Sequence, residues 1–187
     1  MKHLKLYEQF NENDPFGEEI EYVEPTFLSW LKKNYPDENK WNKITKIDCC
    51  NNQLTNLEGI EKLVSLKRLY CHYNQLTSLE KIKNLVSLER LSCYNNQLTS
   101  LEGIENLVKL ERLYCYGNQL TSLEGIKLKN LVNLERVDCH SNQLTNLEGI
   151  EDLVNLKELF CYNNQLTIEY KNHLRNYCEK RKIHLVI

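Results

Sequence analysis

The sequence has no apolar run near the roughly 20 residues that a membrane-spanning helix requires. Its mean hydropathy is −0.57, so a helical membrane span is excluded. It has no excess of either charge: 24 Lys and Arg against 26 Asp and Glu leave −2. The molecule as a whole is therefore no electrostatic sleeve for nucleic acid, although a local basic patch stays open. The start, MKHLKLYEQFNEND, lacks the apolar core of about 7–15 residues and the small-residue cleavage site of an export signal. A cytoplasmic protein with reduced thiols is the expectation, with delivery into a host cell by a non-classical route left open. The chain also has no glycine-rich phosphate loop, no H-E-x-x-H, no C-x-x-C pair and no G-x-S-x-G elbow. No catalytic residue, metal-ligand set or cofactor follows from these residues, and the expectation is a protein that is not an enzyme.

What the chain does have is cysteine, eight in 187 residues, and a repeat. Units begin at Ile44, Leu66, Leu88, Leu110, Leu134 and Leu156, in steps of 22, 22, 22, 24 and 22 residues. The third unit, LERLSCYNNQLTSLEGIENLVK, shows the pattern well. The longer step carries two extra residues in GIKLKNLVN (125–133). A fixed period of this length is the mark of a repeat architecture.

The spacing within a unit sets its local structure. Counting from the first residue of the unit as zero, Leu66, Leu69 and Cys71 fall at offsets 0, 3 and 5, and the last two alternate with Tyr70 and His72. Alternation predicts a short strand with one face inward. The asparagine at offset 8 (Asn52, Asn74, Asn96, Asn118, Asn142, Asn164) falls where the chain must turn. Its amide there can satisfy backbone groups of the turn and of the next coil. Leu76, Leu79, Ile82 and Leu85 recur every three residues, which predicts a 3₁₀-like return along the opposite side. Glycine at offset 15 (Gly59, Gly103, Gly125, Gly149) permits a tight bend, and Lys81 replaces it in the second unit.

The motif L-x-x-L-x-C-x-x-N-x-L resembles the leucine-rich repeat in its 22-residue class, and its cysteine resembles the cysteine-ladder repeats of internalins. The match covers about residues 41–187. The resemblance implies an α/β repeat solenoid: a right-handed superhelix with a concave parallel sheet, a 3₁₀ or irregular convex side, and helical caps at both ends. It also implies a binding scaffold in general terms.

Six of the cysteines, Cys49, Cys71, Cys93, Cys115, Cys139 and Cys161, share offset 5. They are expected to form an inward column of free thiols filling core volume. In-register parallel strands keep their Cβ vectors side by side, which disfavours disulfides along the column. No His or carboxylate shares that inward column, so a string of metals is disfavoured too. Cys50, at offset 6, should face the concave surface.

Terminal units of a solenoid must close its exposed core. Residues 1–24 read as an acidic leader, whose apolar start (Leu4, Leu6, Tyr7, Phe10) offers a docking motif or part of a cap. Residues 25–43 read as a helical N-terminal cap, with Phe27, Trp30 and Leu31 on one face and Trp41 sealing it. Residues 44–166 hold the six repeats, and 167–187 a C-terminal cap of one helix and a final strand.

Function is expected on the outward strand face, at offsets 2, 4 and 6 with offset 7 at the edge. The candidate binding residues are Arg68, Tyr70, His72, Tyr73, Arg90, Tyr94 and Arg112, followed by Tyr114, Tyr116, Arg136, Asp138, His140, Phe160 and Tyr162. Offsets 4 and 7 vary while the rest of the unit is nearly copied. Tyr and Arg give large contact area at modest entropic cost. Against this, aromatic residues favour strands and stack across them without any ligand. The arginine column also neighbours Glu89, Glu111 and Glu135, as ordinary surface ion pairs would.

Three functions compete. The leading one is a protein-interaction module with another protein as partner. The second is single-stranded nucleic-acid binding along Lys46, Arg68, Arg90, Arg112 and Arg136, disfavoured by the net charge. The third is a structural repeat protein without a specific ligand. Cys50 beside His72 mimics a Cys–His pair, without an enclosing pocket.

Overall fold

The computed structural model describes residues 26–123 and 127–187. The acidic leader (1–24), and Gly125 in the longer fourth unit, lie outside the described residues.

Each repeat contributes one strand of three residues: β1 (Lys46–Asp48), β2 (Arg68–Tyr70), β3 (Arg90–Ser92), β4 (Arg112–Tyr114), β5 (Arg136–Asp138) and β6 (Glu158–Phe160). A seventh strand, β7 (His184–Val186), follows the last helix. All seven form one open parallel sheet in chain order. The register advances by one unit per strand, so Arg68 lies opposite Arg90, Arg90 opposite Arg112 and Arg112 opposite Arg136. The middle residue of each repeat strand (Ile47, Leu69, Leu91, Leu113, Val137, Leu159) is buried. The next inward position is the cysteine. The chain then returns through 3₁₀ turns at Ile60–Lys62, Glu80–Ile82, Leu128–Asn130 and Ile150–Asp152. The leucines at offsets 10, 13 and 19 sit between these turns and the sheet, giving one continuous core. This is an open α/β solenoid with strands on one side and 3₁₀ turns on the other.

One bend shows why glycine recurs at offset 15. Gly103 has φ +108°, and a Cβ there would stand 2.4 Å from the carbonyl oxygen of Leu79 in the preceding coil. Where Lys81 takes this offset, the preceding Leu79 has φ −110° and the turn is made without a left-handed residue.

The asparagine at offset 8 closes each coil. Asn96 Nδ2 donates to the carbonyl oxygens of Cys93 (3.0 Å), Tyr94 (3.3 Å) and Cys71 (3.1 Å), and its Oδ1 accepts from Leu76 N (3.0 Å). Asn74, Asn118 and Asn142 make the same set. Cys71 and Leu76 belong to the preceding coil, so the amide reaches backward, whereas the sequence suggested the next coil. In the first five repeats the offset-5 cysteine carbonyl, one residue past the strand, points toward the following coil and accepts there from a side-chain amide. The asparagine of that following coil is the donor within reach. Asn52 has no earlier coil to serve, and its Nδ2 donates only to Cys50 O (2.7 Å).

Both ends of the core are covered. Helix α1 (Phe27–Asn34) starts at Thr26, whose Oγ1 accepts from Ser29 N, and it buries Phe27 and Leu31 fully. Trp41 is buried beside them and donates from Nε1 to Tyr35 O (2.8 Å). Helix α2 (Ile168–Arg181) starts at Thr167 and buries Leu174 and Cys178. Tyr170 Oη accepts from Leu147 N (3.0 Å), pinning α2 to the fifth coil. Among the described residues no helix is long and apolar enough to cross a membrane.

Removing a buried amide strands every group it served, at about 1–3 kcal/mol each for the least relieved. Asn96→Ala is therefore expected to lower the unfolding free energy by about 2–4 kcal/mol, and Asn52→Ala by less than about 1 kcal/mol. Urea unfolding of the two variants side by side measures the contrast. Equal losses would refute the bridging role.

Candidate functional site

The solvent face of the sheet carries three columns of side chains, spaced by the strand separation. At offset 6 the rings form one continuous stack: His72–Tyr94 4.2 Å, Tyr94–Tyr116 4.3 Å, Tyr116–His140 4.3 Å and His140–Tyr162 4.3 Å between centroids, with planes within 10–15° of parallel. Strands themselves lie about 4.7–4.9 Å apart. Rings closer together than their strands mean that the sheet curves toward this face, which makes it the concave one. The stack uses both faces of Tyr94, Tyr116 and His140 on neighbours, leaving ring edges and hydroxyls to the solvent. Burial raises the phenol pKa of Tyr94 and Tyr116, so both are protonated at neutral pH.

At offset 2 the basic column splits in two. Arg136 pairs with Glu158 on the next strand at 2.5 Å, and its guanidinium carbon lies 4.5 Å from the Phe160 ring centroid and 5.4 Å from that of Tyr114. Lys46 lies over the Tyr70 ring at 5.3 Å. Among the described residues, Arg68, Arg90 and Arg112 form no ion pair. Of the three glutamates expected beside them, Glu89 pairs with Lys67 (3.0 Å) and Glu135 with Lys157 (2.6 Å) in their own column, and Glu111, between those two glutamates, forms no ion pair among the described residues. Offset-1 side chains stand in register with each other across the strands, and this puts Lys opposite Glu. Three guanidiniums thus remain unneutralised in a row.

At offset 4 tall and short residues alternate: Tyr70, Ser92, Tyr114, Asp138, Phe160. The short ones are sunk between the tall ones. Ser92 is 5% exposed and Asp138 only 8%, so Asp138 is a floor residue rather than the outward contact the sequence suggested. An open cavity of about 310 Å³ stands above Ser92, between Tyr70 and Tyr114 and beside Arg90. At Asp138 the corresponding space holds the Arg136 guanidinium. Asp138 Oδ1 and Arg136 Nε are buried there without hydrogen-bond partners, and Asp138 Oδ1 lies 3.7 Å from His140 Nε2. Burial raises the Asp138 pKa against the pull of His140 and Arg136.

Offset 7 obeys a backbone rule that the sequence did not announce. Asn51, Tyr73, Asn95, Ser141 and Asn163 have φ between 52° and 57°, and Gly117 has 63°. This left-handed conformation favours Asn and Gly, so part of the variation read as recognition is turn chemistry. The signal was present, since three of the six residues are Asn and one is Gly. Tyr73 departs from it: a bulky residue at φ 54°, 55% exposed, set edge-on to Tyr94 at 5.4 Å.

Three successive matches to the family profile described as "Leucine Rich repeats (2 copies)" cover residues 42–84, 86–130 and 132–175. The chain belongs to the leucine-rich-repeat family. Among solved structures, a leucine-rich-repeat protein of Leptospira interrogans is similar at 29% identity and a TM-score of 0.55, covering 72% of this chain. An internalin of Listeria monocytogenes is similar at 20% identity and a TM-score of 0.49, covering 86% of this chain. The chain spans 40% of the first structure's length and 60% of the second's. No curated protein matches the sequence.

In this leucine-rich-repeat chain the cysteine column does more than fill space. Each buried thiol of the first three repeats donates to the carbonyl of the next strand, Cys49 to Tyr70 O (3.4 Å), Cys71 to Ser92 O (3.5 Å) and Cys93 to Tyr114 O (3.6 Å). A leucine there would leave that second lone pair unused. Burial pushes the Cys93 and Cys161 thiols up to about 12. Cys50 Sγ meets His72 Nδ1 at 3.0 Å. Burial and Asp48 push its thiol up to about 12, while burial lowers the His72 pKa. A nucleophilic thiolate–imidazolium pair needs the opposite shifts, so this contact is a hydrogen bond between neutral groups.

Two outcomes follow. A thiol reagent at pH 8 is expected to modify no more than one cysteine in the folded protein, the half-exposed Cys50, and to modify all eight in denaturant. A count below eight under denaturing, non-reducing conditions would place a disulfide in the chain. For Asp138, the folded protein holds the proton more tightly than the unfolded chain. Its contribution is therefore favourable below the ordinary value of 3.8 and is lost as pH rises through the raised folded value. Asp138→Asn is expected to raise the thermal midpoint at pH 7 and to lose that advantage near pH 4. A pH-independent difference would contradict the burial argument.

Proposed function

We propose that this protein is a binding module that docks another protein on the concave sheet face. The observation that supports it best is the unneutralised row of Arg68, Arg90 and Arg112 beside half-buried tyrosines. Those groups are held in register by a rigid backbone, and stability alone does not call for a row of like charges. Tyr73 adds to this. An L residue of its bulk in the left-handed region costs roughly 1–2 kcal/mol relative to glycine, and such strain collects where a side chain is displayed for contact.

The face offers little to a single-stranded nucleic acid. Successive bases need free ring faces to stack on, and the offset-6 rings have given theirs to one another. Catalysis is not proposed, because the Cys50–His72 contact is electrostatically wrong for a nucleophile.

The test is affinity purification from the native source with tagged wild-type chain and with the Arg68→Glu, Arg90→Glu, Arg112→Glu variant. A protein recovered in stoichiometric amount with wild type and lost with the variant is expected. Tyr73→Asn should raise the unfolding midpoint while weakening the same capture. A partner held equally by all three chains would overturn the concave-face assignment, and saturable binding of oligothymidylate at low salt would favour nucleic acid instead.

A further inference from the structure

The offset-4 column is a ladder of rings with its middle rung missing. Tyr70 on β2 and Tyr114 on β4 stand on either side of β3, where the residue is Ser92. Lys46 covers the outer side of Tyr70 and Arg136 the outer side of Tyr114, at 5.3 and 5.4 Å. The inner sides of both rings therefore border the cavity above Ser92. The adjacent column measures what that space holds. There, over the same three strands, Tyr94 fits between His72 and Tyr116 with centroids 4.2 and 4.3 Å apart. One planar ring fills a two-strand step.

The chain supplies its own precedent. Two strands on, Asp138 leaves the same gap between Tyr114 and Phe160, and the planar guanidinium of Arg136 occupies it. Arg136 is drawn there by Glu158 in the next strand. Arg90 has no such anchor, because its register neighbours are Arg68 and Arg112. Those three positive charges also disfavour a guest that is itself a cation and favour anions beside it.

We propose that the slot above Ser92 takes one aromatic side chain from an acidic segment of a partner protein, with flanking carboxylates on Arg68, Arg90 and Arg112. This rests on the concave-face interaction and names its anchor. A ring sandwiched between two tyrosines is the kind of desolvated central contact that dominates an interface. The carboxylates add bidentate pairing to guanidiniums that are already displayed.

The experiment uses the full chain and a fluorescein-labelled peptide, Glu-Asp-Phe-Asp-Glu, followed by anisotropy at low salt. Saturable binding is expected. It should weaken roughly tenfold or more when the peptide's Phe becomes Ala, and likewise in Ser92→Tyr, where the chain fills its own slot. Arg90→Glu should weaken it similarly, and added salt should weaken binding of every acidic peptide. Tyr70→Ala, which removes one wall, gives a second route to the same loss if Ser92→Tyr fails to fold. No binding at millimolar peptide, or binding indifferent to the Phe or to both slot variants, overturns the proposal. So does an oligothymidylate that binds in competition with the peptide and is blocked by Ser92→Tyr, since the guest would then be a base. A native partner lost in the triple arginine variant yet retained by Ser92→Tyr would sink the slot and leave the protein-binding function standing.

Discussion

The amide of the recurring asparagine is the interaction on which the other columns depend. It joins the carbonyls that end two successive strands and takes the amide proton that opens the earlier coil's return. A slip of one coil against the next would break all of these together. Six coils locked in this way place each residue of a unit beside its own copy in the next. Every column on the sheet, buried or exposed, is a consequence of that lock. The cysteine thiols add to it by meeting carbonyls that the ladder leaves half used, and on the outer face the rings stack because the lock brings them within contact.

Register has an electrostatic corollary. When copies stand side by side, any charged offset becomes a row of like charges unless the copies differ. At offset 1 they differ at both ends of a run of three glutamates, so that Lys67 meets Glu89 and Glu135 meets Lys157 while Glu111 stands between two glutamates. At offset 2 they differ only at the far end, where Glu158 follows Arg136. The remaining arginines are left facing one another. Exposed pairs of this kind contribute about 1 kcal/mol or less each when satisfied. The fold therefore tolerates the arginine row at little cost, and the row is available to a partner of opposite sign.

The fold was legible in the sequence because one spacing, seen six times, fixes the inward set. Leu69, Cys71 and Leu76 could be assigned to the core from the period alone. The directions of the bonds between coils were not legible. Asn96 reaches back to Cys71 because of where a strand-end carbonyl points, and a one-dimensional period carries no such vector. The Glu89 partner was misjudged for the same reason: Arg90 is its neighbour in sequence, but Lys67 is its neighbour across the sheet. Offset 7 shows a different limit. A position that must hold φ near +55° and a position that varies for recognition both look loosely conserved between copies, and only the backbone separates them. Of the face chosen from sequence, Arg68, Arg90, Arg112 and Tyr73 stay at the outer surface, whereas Arg136 lies between rings, Asp138 is sunk and the offset-6 rings are largely turned to one another.

These distinctions change which departures from the period carry information. From the second coil onward the copies at offset 6 agree in being aromatic, and the agreement is explained by the stack they build. At offset 4 they disagree, Tyr against Ser and Tyr against Asp, and nothing in the core or the turn requires it. A tyrosine at every offset-4 position would continue the ladder and add cross-strand contact, each pair contributing roughly 0.2–1 kcal/mol. Apart from Asp48 on the edge strand, the chain forgoes that stabilisation twice, each time between two rings. Once it fills the gap with its own Arg136 guanidinium, and once it leaves the gap open beside the three unpaired arginines. In a molecule made of near-copies, a missing contact that the period would have supplied is a stronger mark of a site than the contacts that are present.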